Sequence, residues 1–166
     1  QFALTMEALF PQARIIAFEP LPELFAALSR HAQTEPRLQA IRCGLGDSNG
    51  ELSFNKLALD ASSSFLKPNA VLKAAAPDIT ASEEVTAPVR RLDDVMAEHD
   101  IDDALFIKLD VQGFEDRVIR GGEATFRRAV LLLVETSTIP LYEGAPDFAA
   151  IFTQLARLGF DYAGTF

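Results

Sequence analysis

The feature that most limits the fold is a series of short apolar runs that alternate with segments of helical periodicity. Runs such as 14–19 and 104–110 are rich in isoleucine, leucine and phenylalanine, which is typical of buried strands. Between the runs, apolar residues recur every three or four positions, as at Leu21, Leu24 and Phe25. This alternation predicts βαβ units in an α/β fold, with a doubly wound and mostly parallel sheet.

The same patterns predict where the other elements lie. We expect helices over 2–10, from Pro22 to about 34, around 69–76, over 92–96, from Phe114 to an interruption at Gly121-Gly122, and over 148–155. We expect strands over 38–43 and 129–135, a further strand beginning at 160–162, and half-buried antiparallel strands around 52–54 and 85–89. The long Ala/Ser/Pro-rich stretch from about 57 to 84 is expected to be a functional or mobile loop.

Composition excludes several classes of protein. The chain has 166 residues, which fits one domain, and its 24 acidic and 15 basic residues give a net charge of −9. This balance argues against nucleic acids and anionic membrane surfaces as partners. A single cysteine, Cys43, excludes an internal disulfide framework and a multi-cysteine zinc site. Since no signal peptide pattern or membrane-spanning run is found, we predict a cytoplasmic protein, and the oligomeric state stays open.

Acidic residues follow the predicted strands. Glu19, Asp47, Asp110 and Glu135 each come at or just after the end of a strand candidate. The carboxyl ends of parallel strands meet at one edge of the sheet, where doubly wound folds bind ligands. Acids are also good helix N-caps, but four at this edge favour a site over capping alone. We therefore expect these four carboxylates to line one crevice.

Glu19 has a specific physical use at such an edge. A carboxylate after the second strand of a dinucleotide-type fold accepts two hydrogen bonds from the vicinal hydroxyls of a ribose. Nicotinamide cofactors and S-adenosylmethionine both carry an adenosine ribose, so this residue alone does not separate them.

Five short strings carry a resemblance to a known family. In chain order they are 16–20, 44–47, 92–94, 107–115 and 133–135, and the string Lys-Leu-Asp-Val-Gln-Gly-Phe-Glu at 108–115 is the most diagnostic. Their order and spacing resemble the FkbM family of S-adenosylmethionine-dependent methyltransferases. The resemblance runs from about Gln1 to Phe166, and it implies one partial methyltransferase domain over 1–166 with a variable insertion at about 51–90.

The resemblance implies a Rossmann-like class I methyltransferase and a set of site residues. By position, Glu19 and Pro20 resemble the segment that holds the ribose, and Gly46 and Asp47 resemble the segment beside the adenine. Asp110 resembles the acid close to the methyl-transfer centre, where it would also contact the cofactor. The pair Ser63 and Ser64 matches a short serine pair near the substrate.

An acceptor hydroxyl must lose a proton during methyl transfer, so a base or a metal is needed. Neither His31 nor His99 is well placed in the predicted fold, which leaves Asp110 and then Glu135 as catalytic candidates. These two carboxylates could instead hold a divalent cation, because hard cations favour oxygen ligands. Tyr142, in a loop bounded by proline and glycine after Glu135, could border the substrate or simply pack on the surface.

Two departures from the family pattern affect the predicted site and domain. Gln112 stands where the family commonly has Glu, and none of the nine glycines forms a GxGxxG loop. The first family strand and its Gly-rich loop are expected just before Gln1, so we expect an N-terminally truncated domain that alone is unstable or inactive.

The predicted function is O-methylation of a small-molecule or saccharide hydroxyl. The alternatives are a non-catalytic Rossmann-like module that has lost cofactor binding and a nicotinamide-dependent oxidoreductase. The string at 108–115 argues against the oxidoreductase.

Overall fold

The computed structural model describes residues 2–79, 81–101 and 104–165. Gln1 and Phe166, which bound the expected domain, lie outside the described residues. The described residues form an α/β protein in which three pairs of neighbouring strands are parallel and one pair is antiparallel, so the pairing is mostly parallel, as predicted. No helix among them is long and apolar enough to cross a membrane.

The first βαβ unit joins β1 (Ile15–Phe18) to β2 (Leu38–Ile41) through helix α2 (Pro22–Ala32). The two strands are parallel, with Ile15 opposite Leu38 and Phe18 opposite Ile41. Pro22 lies in the first turn of α2, where a missing backbone N–H costs nothing. Helix α1 (Phe2–Leu9) precedes this unit and is linked to α2 by a hydrogen bond of 2.9 Å between Glu7 and His31.

The middle of the chain forms a mixed sheet. Strand β5 (Ser82–Arg91) lies between β3 (Gly44–Gly46), which is parallel to it, and β4 (Gly50–Leu57), which is antiparallel to it. The antiparallel pair confirms the expectation from the alternating residues around 52–54 and 85–89. The short strand β3 was not predicted, because its Gly-Leu-Gly sequence has the composition of a turn.

The expected loop from 57 to 84 is a tethered connection. It contains helix α3 (Ala70–Ala75), which Asn69 caps by accepting bonds from the backbone N–H groups of Val71 and Leu72. The Asn69 side chain also donates to the Pro140 carbonyl at 2.7 Å. The Glu143 N–H donates to the Lys67 carbonyl at 2.8 Å. The segment after Glu135 therefore holds this connection against the body of the protein.

The second parallel pair is β6 (Leu105–Leu109) and β7 (Ala129–Val134). They are joined by α5 (Glu115–Gly121) and α6 (Glu123–Phe126), which meet at the interruption that Gly121-Gly122 predicts. Helix α4 (Leu92–Met96) precedes β6, and α7 (Phe148–Arg157) follows β7. Residues of these elements form most of the larger hydrophobic cluster, which comprises Cys43, Leu45, Leu92, Leu109, Phe114, Val118, Ile119, Phe126, Ile151 and Leu158.

Close packing of α5 against β3 depends on glycine. A Cβ added to Gly121 would lie 1.8 Å from the carbonyl oxygen of Gly46. A Cβ added to Gly46 would lie 2.9 Å from the Val89 side chain and 3.2 Å from the Phe114 ring. Because neither glycine has a side chain, the backbone of helix α5 can pack directly against the backbone of strand β3.

The predicted strand at 160–162 was wrong. Residues 161–165 are irregular, and the Tyr162 ring packs edge-on against Phe148 of α7 with 5.8 Å between ring centroids. A strand needs a hydrogen-bonding neighbour, and among the described residues β7 pairs only with β6. Aromatic packing on the helix therefore determines the conformation of this segment.

The pair of β1 and β2 does not pair with the pair of β6 and β7 within the described residues. Strand β1 is hydrogen-bonded to β2 and strand β6 to β7, so among the described residues each of these four strands has one unpaired edge. The Phe2 ring of α1 lies 6.4 Å from the Phe106 ring of β6, between centroids. The continuous doubly wound sheet therefore stays a prediction.

Candidate functional site

Two of the predicted acids meet at the carboxyl ends of β6 and β7. Asp110 directly follows β6 and Glu135 directly follows β7, and the Glu135 N–H donates to the Leu109 carbonyl at 2.8 Å. Lys108 Nζ lies 2.8 Å from Asp110 Oδ2 and 4.0 Å from Glu135 Oε2. One ammonium group therefore lies between two carboxylates at this edge.

The two carboxylates differ in acidity. Burial opposes ionisation of Asp110, but hydrogen bonds from Lys108 and Gln112 outweigh it and lower the pKa of Asp110. Burial and the neighbouring Asp110 charge raise the pKa of Glu135. Asp110 is thus the ionised member of the pair and Glu135 the more basic one. Environments that push two acid pKa values apart are typical of acid–base sites.

Gln112 links this pair to the rest of the site. Its Nε2 lies 2.8 Å from Asp110 Oδ1 and 3.5 Å from Glu135 Oε1. Its Oε1 lies 3.1 Å from the Tyr142 hydroxyl. Gln112 has φ 53, the only positive φ outside glycine in the described part of the chain. Such a left-handed backbone costs about 1–2 kcal/mol in a residue with a Cβ.

A buried carboxylate supports the loop that carries Gln112. Glu115 is only 4% exposed, and its Oε1 accepts bonds of 3.2 Å from the backbone N–H groups of Val111 and Gly113. Burial raises the pKa of Glu115 despite these bonds. Glu115 therefore fixes the turn between β6 and α5, and Asp110 lies at the start of that turn.

A small cavity opens beside these residues. It encloses about 30 Å³, enough for a water molecule or a hydroxyl group. Its polar lining includes Gln112, Glu115, Glu135, Ser137 and Tyr142.

The predicted substrate residues are buried. Ser63 Oγ accepts from the Leu57 N–H at 2.9 Å, and Ser64 Oγ donates to the Gln112 carbonyl at 2.7 Å. The Tyr142 hydroxyl donates to the Ser62 carbonyl at 2.6 Å, and Tyr142 is 4% exposed. Burial and the charges of nearby carboxylates raise the pKa of Tyr142 to about 12. Direct contact of these residues with a substrate stays a prediction.

Glu19 and Pro20 lie at the carboxyl end of β1, and both are half-buried. Glu19 Oε1 accepts a bond of 2.9 Å from the Leu21 N–H, which fixes the carboxylate at the start of α2. Burial raises the pKa of Glu19, and the Asp60 charge adds to the effect.

Gly46 and Asp47 lie at the carboxyl end of β3. The close approach at Gly46 is made by Val89, Phe114 and helix α5. Asp47 is exposed and forms an ion pair of 3.0 Å with Arg120 of α5. Lys108 and Gln112 thus connect Asp110 to Glu135, whereas Glu19 and Asp47 interact with other residues. The single crevice lined by all four acids stays a prediction.

The structure gives no support for a metal centre. In ranges 2–79, 81–101 and 104–165, no three His, Cys, Asp or Glu side chains are grouped to hold an ion. The positive charge beside Asp110 is instead the ammonium of Lys108, at 2.8 Å. Lys108 thus pairs with a carboxylate at the edge of the sheet.

Three functional or supporting contacts were not predicted from the sequence. They are the contact between Gln112 and Tyr142, the hydrogen bond that Glu115 accepts from the Gly113 N–H, and the cap that Asp93 provides for α6. Asp93 accepts from the Thr125 N–H at 2.8 Å and from the Thr125 hydroxyl at 2.7 Å. For the turn at Gln112, the sequence does contain a signal: the Gln-Gly dipeptide at 112–113 is typical of a turn and lies directly after a strand.

Comparison with known proteins places the chain among methyltransferases. A family described as "Methyltransferase FkbM domain" matches residues 2–162. The 2-O-methyltransferase NoeI of Sinorhizobium fredii (strain NBRC 101917 / NGR234) is 29% identical over 152 residues, which are 87% of this chain and 62% of the relative. Methyltransferase 1 of Beauveria bassiana (strain ARSEF 2860) is 28% identical over 174 residues, covering 98% of this chain and 68% of the relative.

Methyltransferase sdnD of Sordaria araneosa is 30% identical over 143 residues, covering 72% of this chain and 55% of the relative. The chain thus spans between 55% and 68% of the length of these relatives. No solved structure matches the chain significantly. Because the family match extends over nearly the whole chain, the protein belongs to the FkbM methyltransferase domain family.

Proposed function

We propose that the protein is an S-adenosylmethionine-dependent methyltransferase that acts on a hydroxyl group of a small molecule or saccharide. The observation that carries the proposal is the Asp110–Glu135 pair at the carboxyl ends of parallel strands, beside a small cavity. The name of the relative from Sinorhizobium fredii, a 2-O-methyltransferase, supports oxygen as the acceptor atom.

The residues present fit this cofactor in their chemistry. Glu19 is a half-buried carboxylate, held on one oxygen by the Leu21 N–H, so its other oxygen is free to turn toward a ribose. Asp110 provides a negative charge suited to a sulfonium cation. We place 1–166 in a Rossmann-like doubly wound domain that a strand with a Gly-rich loop completes, and the parallel pairing of β1 with β2 and of β6 with β7 supports this placement.

When bound, S-adenosylmethionine supplies the methyl group: a C–O bond forms as the C–S bond breaks, and sulfur keeps the electron pair. Glu135 accepts the hydroxyl proton, because its raised pKa makes it the better base of the pair. Asp110 stays ionised next to Lys108 and keeps its charge toward the cofactor.

The charge of the site constrains the acceptor. Glu115 and Glu135 line the cavity, and Lys108 pairs with Glu135 and with the neighbouring Asp110. A phosphate or carboxylate close to the reacting hydroxyl would be repelled by these carboxylates. An acceptor that is uncharged near the methylated oxygen, such as a sugar ring, is therefore favoured.

The test is transfer of a labelled methyl group. The protein is expressed from its complete reading frame and incubated with methyl-tritiated S-adenosylmethionine and a panel of neutral sugars and other alcohols. We expect label in a neutral acceptor, and we expect Glu135→Gln to slow transfer by about 10²–10⁴-fold, the usual contribution of a general base.

Glu143→Gln, an exposed acid in the segment that follows Glu135, is the matched control and should transfer at the wild-type rate. Hydride exchange with a nicotinamide cofactor, or no binding of S-adenosylmethionine, would refute the proposed function. A wild-type rate in Glu135→Gln would refute the role of that residue only.

A further inference from the structure

The Gln112 side chain has a fixed orientation that the chemistry of its neighbours dictates. Its Nε2 faces two carboxylates, at 2.8 Å from Asp110 and 3.5 Å from Glu135. Asp110 is ionised, so its oxygens can only accept, and the amide nitrogen must be the atom that faces it. The amide oxygen therefore faces Tyr142, whose hydroxyl lies 3.1 Å away.

The backbone of Gln112 is held from the opposite side. Ser64 Oγ donates to the Gln112 carbonyl at 2.7 Å and accepts from the Leu66 N–H at 3.0 Å. Ser64 is 1% exposed, so this bond is shielded from water. These contacts hold Gln112 in the left-handed conformation that aims its side chain at the carboxylate pair.

Tyr142 closes the connection. Its hydroxyl has one proton and lies near two acceptors, the Ser62 carbonyl at 2.6 Å and Gln112 Oε1 at 3.1 Å. The raised pKa keeps the phenol protonated at neutral pH. One hydrogen-bonded chain thus runs from the segment 62–64 and Tyr142 through Gln112 to Asp110 and Glu135.

We propose that Gln112 is a positioning residue that couples the segment 62–64 and Tyr142 to the Asp110–Glu135 pair and fixes the relative placement of the two carboxylates. This role rests on the proposed function, because it concerns the acids that act in methyl transfer. Gln112 acts through them, and contact with the reacting atoms is left to Asp110 and Glu135.

The first test is spectroscopic and needs neither cofactor nor acceptor. The side-chain amide of Gln112 is observed by NMR in protein labelled with ¹⁵N-glutamine and assigned by its loss in Gln112→Met. We expect Tyr142→Phe to shift this resonance, because it removes the hydroxyl that lies 3.1 Å from Oε1 and whose proton Oε1 shares with the Ser62 carbonyl. The control Tyr162→Phe alters an exposed tyrosine that packs on α7, so we expect no shift.

The second test measures catalysis. Gln112→Met keeps the length of the side chain but removes its hydrogen bonds to Asp110, Glu135 and Tyr142. A space-filling role would therefore be preserved and a positioning role lost. We expect single-turnover methyl transfer to slow by about tenfold or more. We expect the S-adenosylmethionine Kd to change by less than about threefold, which is less than about 0.7 kcal/mol.

The outcomes separate the two proposals. If wild-type protein does not bind S-adenosylmethionine, the proposed function fails, and the NMR comparison alone decides whether Gln112 forms the bridge. A Gln112 resonance that moves equally little in Tyr142→Phe and Tyr162→Phe overturns the bridge. A folded Gln112→Met variant with the wild-type transfer rate overturns the positioning role.

Discussion

The contact between Gly121 and Gly46 gives the sharpest structural prediction, for the substitution Gly121→Ala. The added Cβ would lie 1.8 Å from the Gly46 oxygen, 2.8 Å from the Gly46 carbonyl carbon and 3.2 Å from Asp47 Cα. These are backbone atoms, so no side-chain rotation can relieve the overlap. Since non-bonded carbon atoms prefer separations of about 3.5–4.0 Å, α5 must move away from β3 by more than about 1 Å.

Two opposing contributions set the magnitude. Alanine in a helix is favoured over glycine by about 0.5–1 kcal/mol. Forcing an extra group into a packed interior costs about 1–3 kcal/mol, and more where the backbone must shift. Because the obstacle is backbone, we expect the free energy of unfolding to fall by about 3 kcal/mol, or about 6–12 °C in Tm for a domain of this size.

The measurement is urea unfolding followed by circular dichroism on the protein expressed from its complete reading frame. Gly159→Ala is the control, because its Cβ meets open space and only its φ of +98 opposes the substitution. We expect the control to lose about 1–2 kcal/mol, the cost of a left-handed backbone. A Gly121→Ala variant within about 0.5 kcal/mol of wild type would show that α5 does not pack on β3 in this way.

Two further predictions concern supporting contacts. Glu115→Gln keeps an acceptor for the Val111 and Gly113 N–H groups and removes a carboxylate whose pKa burial raises, whereas Glu115→Ala loses the acceptor. Wild type loses stability as pH rises from the unfolded-state pKa of Glu115 to its raised folded-state pKa. In a pH series of denaturant unfolding, Glu115→Gln should therefore gain stability relative to wild type over that pH range. Glu115→Ala should lower the free energy of unfolding by about 1–3 kcal/mol. A constant difference between wild type and Glu115→Gln across the pH series would contradict this. Asp93→Ala should lower the free energy of unfolding by about 1–2 kcal/mol, because Thr125 loses its acceptor, and an unchanged unfolding midpoint would contradict this cap.

Local sequence was sufficient to predict most elements. The β-branched and leucine-rich runs at β1 and β6, Pro22 at the start of α2 and the glycine pair after α5 act within a few residues of themselves. The segment at 160–162 has strand composition but lies where Tyr162 packs on α7, so tertiary contacts overrode local preference. Strand β3 shows the reverse case, because its pairing with β5 makes a strand of a turn-like sequence.

The site was predicted only in part, for a related reason. Strand order places Asp110 and Glu135 at neighbouring carboxyl ends, and a pattern of acids after strands is enough to anticipate that. The bridge from Gln112 to Tyr142 spans 30 positions along the chain, and the cap from Asp93 to Thr125 spans 32. Such contacts depend on how loops pack, which no local pattern encodes.

The most direct test of the proposed cofactor site is the affinity of S-adenosylmethionine for Glu19→Ala, measured by calorimetric titration of the protein from its complete reading frame. Loss of charge-assisted hydrogen bonds to the ribose, at about 1.5–3 kcal/mol, predicts a Kd that rises about tenfold or more. The control Glu23→Ala changes an exposed acid of α2 and should leave the Kd unchanged. An unchanged Kd in Glu19→Ala, with wild type binding tightly, would contradict the placement of the cofactor at the end of β1.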